Sequence, residues 1–185
     1  MTDNLNIQMR IDCGWTWKCV GESRQFTDSA SIHFRRDSLS PNTPQDIDIA
    51  WYLENQTLVK NATTTYNLRS LSQLIFGKSI NFTLACAKIL YVYNRSAVGT
   101  LSLGDTVTNQ WIGPFGLAGD ELKLAPNSPL FITNFTSGWS VDPSTCNLKL
   151  NALGGDVSYD IAILGTSPDW VAPSPSSSSA DSSST

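Results

Sequence analysis

Along most of the chain, apolar and polar residues alternate with a period of two, the pattern of half-buried β-strands. Ile7, Met9 and Ile11 share one face of a first segment, and after Gly14 the alternation continues through Trp15, Trp17 and Cys19. Ile32 and Phe34 mark a second segment, and Ile47, Ile49, Trp51 and Leu53 alternate with Asp48, Ala50 and Tyr52 in a third. Residues 55–58 and 63–68 are also β-compatible, and residues 80–94 hold one or two strands. Shorter β runs follow at 100–103, 121–124, 129–133, 139–141, 148–150 and 157–164. Residues 111–119, with three glycines, a proline and two aromatics, read as a long loop. Gly154-Gly155 between two β runs predicts a two-residue hairpin, where positive φ is needed. One stretch departs from the pattern. Leu71, Leu74 and Ile75 stand at helical spacing between Ser70, a good N-cap, and Gly77, a good stop, which predicts a short helix over 70–77.

Short, closely spaced strands with Gly, Pro and Asn turns predict an all-β protein: an antiparallel β-sandwich, jelly-roll-like, with one short helix. Three parts are expected. Residues 1–45 form an N-terminal β extension, part of the same sandwich or an assembly arm. Residues 46–171 form the sandwich itself. Residues 172–185, nearly all Pro, Ser and Ala, form a disordered C-terminal tail.

Composition narrows the function classes. Charged residues are 15% of the chain, against roughly 25% in ordinary soluble domains, so the exposed faces are built from small polar side chains. The net charge is −4, and Arg35-Arg36 is the one adjacent basic pair, so no basic stripe for nucleic acid is visible. The first ten residues lack the basic and apolar regions of a secretory signal. Residues 80–93 are too short and too polar for a membrane span of about 20 residues. The expectation is a protein made in the cytoplasm that engages neither nucleic acid nor membrane. Cys13, Cys19, Cys86 and Cys146 lack zinc-ligand spacing. They read as free thiols, with a small Cys13–Cys19 disulfide as the alternative. Five Asn-x-Ser/Thr tripeptides, beginning at Asn55, Asn61, Asn81, Asn94 and Asn134, read as by-products of an Asn- and Thr-rich β protein.

Candidate chemistry is sparse. The single histidine, His33, alternates opposite Ile32 and Phe34 and reads as a solvent-facing residue. Neither a nucleophile elbow nor a phosphate-binding loop is present. Asp46 and Asp48 share a strand face, an arrangement compatible with Ca²⁺ or a glycosidase pair, but a solvated strand face accounts for them. The expectation is therefore no enzyme, no cofactor and no metal. The aromatics are the better candidates for contact. Trp15 and Trp17 share a face, as core residues, interface anchors or a sugar-stacking pair. Trp111, near Phe115 in the long loop, is the best candidate for an exposed contact.

Phe82, the run 87–94 (Ala-Lys-Ile-Leu-Tyr-Val-Tyr-Asn) and the run 101–104 (Leu-Ser-Leu-Gly) resemble a pattern in small virion-associated structural proteins of tailed bacteriophages. There, a strand ending in Asn precedes a short strand ending in Gly. Residues 138–141, 148–150 and 157–165 are similar to the same template, as are Trp51, Leu58, Leu68 and residues 74–77. The likeness spans residues 47–167 and departs after Leu103, where Gly104-Asp105 replaces paired glycines. It implies a capsid decoration or cement protein at the virion surface, bound to the major capsid protein or other virion proteins and self-associating as a dimer or trimer. The alternative is a virion-borne carbohydrate-binding or host-adhesion module, or a neck or tail component. Trp15, Trp17, Trp111 and Phe115 are the expected interface or glycan contacts.

Overall fold

The computed structural model describes residues 9–18, 27–36, 47–75 and 78–169. Thirteen strands are described, and all their pairings are antiparallel. They are β1 (Met9–Lys18), β2 (Thr27–Arg36), β3 (Ile49–Leu58), β4 (Thr63–Asn67), β5 (Leu71–Ile75), β6 (Lys78–Phe82) and β7 (Cys86–Asn94). After these come β8 (Thr100–Gly104), β9 (Glu121–Leu124), β10 (Ser128–Thr133), β11 (Trp139–Ser140), β12 (Asn147–Leu153) and β13 (Val157–Thr166).

Two sheets carry the fold. One runs β10-β7-β13-β3, with β11 added to β7, and the other runs β4-β12-β8-β9. Leaving aside the β1–β2 ribbon and the strands β5, β6 and β11, the first strand pairs with the last (β3 with β13) and the second with the seventh (β4 with β12). The third pairs with the sixth (β7 with β10) and the fourth with the fifth (β8 with β9). This nested pairing is one long antiparallel ribbon folded across itself, so the sandwich is of the jelly-roll type.

Alternation puts Trp51, Leu90, Val92, Tyr159, Ile161 and Ile163 of the first sheet against Leu101, Leu103, Leu148, Leu150 and Ala152 of the second, all of them buried. Close backbone approach is met with glycine where the strands cross. A Cβ on Gly165 would lie 1.9 Å from the Cys86 carbonyl oxygen, so β13 reaches β7 only because that position has no side chain.

The structure corrects two local expectations. Residues 71–75 form β5, paired with β6 from Leu71↔Phe82 to Ile75↔Lys78, and no helix occurs among the described residues. The burial there has period two. Leu71 and Gln73 are buried, while Leu74 is 72% exposed, so a helical stripe has nothing to cover. The strand is held from outside, because the Trp51 indole N–H donates to the Ser72 carbonyl at 3.1 Å. Tertiary pairing overrides the local caps. At Gly154-Gly155 there is no hairpin, because β12 and β13 belong to opposite sheets. The glycines serve a crossover instead. Gly154 has φ of 75°, and a Cβ on Gly155 would lie 3.3 Å from the Gly99 nitrogen. The tail expected at 172–185 lies outside the described residues.

Candidate interaction face

The two sheets differ on their outer sides. The β4-β12-β8-β9 sheet is polar outside, as expected where a sandwich meets water. Thr63, Thr65 and Asn67 are exposed on β4. Ser102 donates to Glu121 at 2.6 Å, and the Lys149 ammonium meets Asp105 at 2.8 Å. The Lys149 hydrogen bond, followed by the Thr106 amide, holds the Asp105 carboxyl below its usual range. Lys123 first and then Ser102 do the same for Glu121.

The β10-β7-β13-β3 sheet is apolar and aromatic on both sides. On β13, Ala162 stands opposite Tyr52 of β3 on one flank and Tyr91 of β7 on the other. Leu164 likewise stands between Ala50 and Ile89. Phe131 extends the face beyond Tyr91. At one end Ile47 and Ile89 are buried in a second small cluster with Phe131, Phe135 and Leu164, separate from the main core. The small Ala162 between two tyrosines leaves an open cleft of about 390 Å³, whose lining includes Ala50, Tyr52, Glu54, Tyr91, Asp160 and Ala162. Tyr52 is 51% exposed.

Asp160 ties down the rim. It accepts the Asn55 amide at 2.8 Å and pairs with Arg95 at 2.9 Å. Asn55 has φ of 53°, at the bulge where the β13–β3 register shifts between Tyr159 and Ile161. Desolvation, and then the Asp160 charge, push the Tyr91 phenol above its ordinary pKa, so it is neutral at physiological pH.

The aromatics singled out in the sequence fall in different places. Trp15 and Trp17 lie on β1, at register positions opposite Ala30 and Asp28 of β2. Trp111 is fully buried, which overturns its reading as an exposed contact. Its indole N–H donates to the Ser140 carbonyl at 3.0 Å, and Phe115 and Trp139 meet it edge-on at 6.2 and 6.3 Å. Phe115 is half-buried and packs on the main core, so Trp111 and Phe115 do come together, but as the plug beneath the long loop. Asp48 is a clamp, accepting the Ser167 amide at 2.8 Å and its hydroxyl at 2.5 Å. Asp46 lies outside the described residues, and His33 sits opposite Asp12 in the ribbon. Cys86 and Cys146 are free thiols.

Among the described residues no group of three or more His, Cys, Asp or Glu side chains is placed to hold a metal ion. No helix among them is long and apolar enough to cross a membrane. Tyr52, Tyr91 and Ala162, the residues that shape the cleft, escaped the sequence reading. Their signal was present in the unbroken apolar runs 89–93 and 161–164, because a strand covered on both faces loses its alternation. No family model matches the chain, and no curated protein or solved structure is significantly similar to it.

Inside the core, the Tyr66 and Tyr159 hydroxyls share a 2.6 Å hydrogen bond, with Tyr159 only 1% exposed. Burial raises both phenol pKa values, foremost for Tyr159. A proton held more tightly in the folded state than in the unfolded one gives stability that is complete below the unfolded value and lost as pH rises past it. On the alkaline side the urea midpoint is therefore expected to fall as pH rises past roughly 10, the unfolded tyrosine pKa. Tyr159→Phe should cost about 1 kcal/mol at pH 7 for the lost hydrogen bond and make the alkaline fall shallower. An unchanged alkaline slope in the variant would contradict this.

Proposed function

We propose that this protein is a structural component of a tailed-bacteriophage particle, a decoration or cement protein that stabilises the head by bridging capsomers. One observation carries the reading: a sandwich with one polar outer face has its other outer face made of Ala50, Tyr52, Tyr91, Phe131, Ala162 and Leu164. Tyr52 is exposed there and the other five are partly buried, and an incompletely covered apolar face of this kind marks an interaction surface. Low charge and Ser/Thr/Asn-rich strands suit a surface that neighbouring subunits cover. Viral capsid proteins are among the proteins built on jelly rolls, and that support is analogy of fold alone. The resemblance over residues 47–167 gives the phage assignment its direction. The partners are then the major capsid protein and further copies of the chain, at the virion surface.

The test is mass spectrometry of purified particles of the phage that encodes the protein. Copies in proportion to capsomers support a head role, a few copies move it to the neck or tail, and absence from the particle overturns it. The cleft between Tyr52 and Tyr91, rimmed by carboxylates, favours a second reading as a glycan-binding module. Glycan-array binding that Tyr52→Ala abolishes would establish that reading instead.

A further inference from the structure

At the bulge between β3 and β13, two residues stand against one. Tyr159 is opposite Gln56 and Ile161 opposite Leu53, so Glu54 and Asn55 together oppose the single Asp160. Bulges of this kind re-aim side chains at sites, and here two carboxylates, Glu54 and Asp160, line one cleft. Asp160 is already engaged, by the Asn55 amide and by Arg95. Glu54 is exposed, and among the described residues no cation pairs with it. Counting Glu54, Asp160 and Arg95, the cleft and its rim keep a net charge of −1.

The next row toward the middle of the sheet is aromatic. Tyr52, Ala162 and Tyr91 stand side by side on β3, β13 and β7. The two tyrosines are therefore two strand spacings apart, about 9.6 Å. With only an alanine between them, one flat group fits there at a contact distance of about 3.5 Å on either side. Beyond that row, Ala50 and Leu164 make the cleft apolar. A matching ligand has an apolar stem, a flat head and a positive charge at the carboxylate end. A neutral sugar lacks the charge, and a lysine ammonium lacks the flat head. An arginine side chain has all three, since its guanidinium stacks on aromatic rings and donates paired hydrogen bonds to a carboxylate. The chain supplies its own precedent, because Arg95 already donates to Asp160 at the rim at 2.9 Å.

Resting on the assembly reading above, we propose that this cleft receives an arginine side chain presented by a partner protein. The guanidinium lies between Tyr52 and Tyr91 and bonds to Glu54. The cleft opens on the sheet surface, so the main chain that carries the arginine stays outside it. Phe131 and Leu164, both partly buried, continue the face beside the cleft and offer that partner an apolar surround. Tyrosine and arginine are the side chains that dominate interface anchors.

Amide chemical shifts of the full chain, titrated with N-acetyl-arginine methylamide at fixed ionic strength, read the site. Saturable shifts at Tyr52, Tyr91 and Ala162 are expected, with a dissociation constant on the order of 1 mM, the scale of a single side-chain anchor. Glu54→Gln should weaken binding about 10-fold and Tyr52→Ala about 5-fold. Both side chains are exposed, so neither change disturbs the fold. The citrulline analogue keeps the flat head without the charge, and the lysine analogue keeps the charge without the flat head. Each should bind at least about 5-fold more weakly than the arginine probe. No saturable shift at these amides, an analogue that binds as tightly as arginine, unchanged binding in Glu54→Gln, or a preference for methyl glucoside would each overturn the arginine site. The titration needs no phage particle, so it fails or succeeds separately from the virion assignment.

Discussion

Trp111→Ala is expected to lower the thermal midpoint by on the order of 10 °C, from a loss of about 3–5 kcal/mol. The indole is fully buried and forms the floor of the loop that joins β8 to β9. Three things go with it: the hydrogen bond to the Ser140 carbonyl, the edge-on packing of Phe115, and that of Trp139. The backbone at Trp111 is tied as well, its amide donating to the Asn147 carbonyl at 2.8 Å, so the loop cannot collapse far into the void. Gly113 limits relaxation further, because a Cβ there would lie 2.9 Å from the indole nitrogen. Trp111→Phe keeps most of the volume but not the donor, and should cost clearly less than the alanine change. Differential scanning calorimetry of the two variants checks the order. A midpoint unchanged in Trp111→Ala would mean that the indole is not core.

This burial shows where sequence reading stopped. The strands were legible because alternation needs no knowledge of partners, as at Ile47, Ile49, Trp51 and Leu53. What a loop packs against is not encoded in its own composition, so a tryptophan among glycines read as exposed when it is the plug. Residues 70–77 failed for another reason: Leu71, Leu74 and Ile75 fit a helix and a strand about equally, and pairing with β6, together with the hydrogen bond from Trp51 to Ser72, decides for the strand. The candidate face lay deeper still. Tyr52, Ala162 and Tyr91 are far apart in the chain, and their line across three strands exists only through the β3–β13 and β13–β7 registers. Apolar runs announce that a strand is covered twice, but they do not say with which neighbours it forms a surface.

Asn94 makes the complementary case, a polar residue whose loss should cost as much as that of a tryptophan. It ends β7 with no exposed surface at all. Its side-chain nitrogen lies 2.8 Å from the Gly99 carbonyl and 3.0 Å from those of Leu124 and Ala125. Two hydrogens thus serve three acceptors. Its oxygen accepts the Ser96 amide at 3.1 Å and, very closely, the Ser96 hydroxyl. One amide therefore joins the end of β7, the turn into β8 and the connection from β9 to β10. The Asn94-Arg95-Ser96 tripeptide is accounted for by this knot, with both polar side chains buried. Asn94→Ala leaves these carbonyls and the Ser96 amide without their partner. At about 1–3 kcal/mol for each unsatisfied group, less what water recovers, the loss should total about 3–5 kcal/mol. Asn94→Asp tests the direction of the hydrogen bonds. A carboxylate cannot donate to the carbonyls and is repelled by them, so the new carboxyl binds its proton more tightly in the folded state. That variant should be at least as unstable as the alanine form at pH 7 and should recover as pH falls, when the protonated acid donates again. Urea midpoints at pH 4 and pH 7, set against the wild type, read this difference. An Asn94→Asp variant that loses stability on acidification in step with the wild type would show that the amide's donors are not what holds the three connections together.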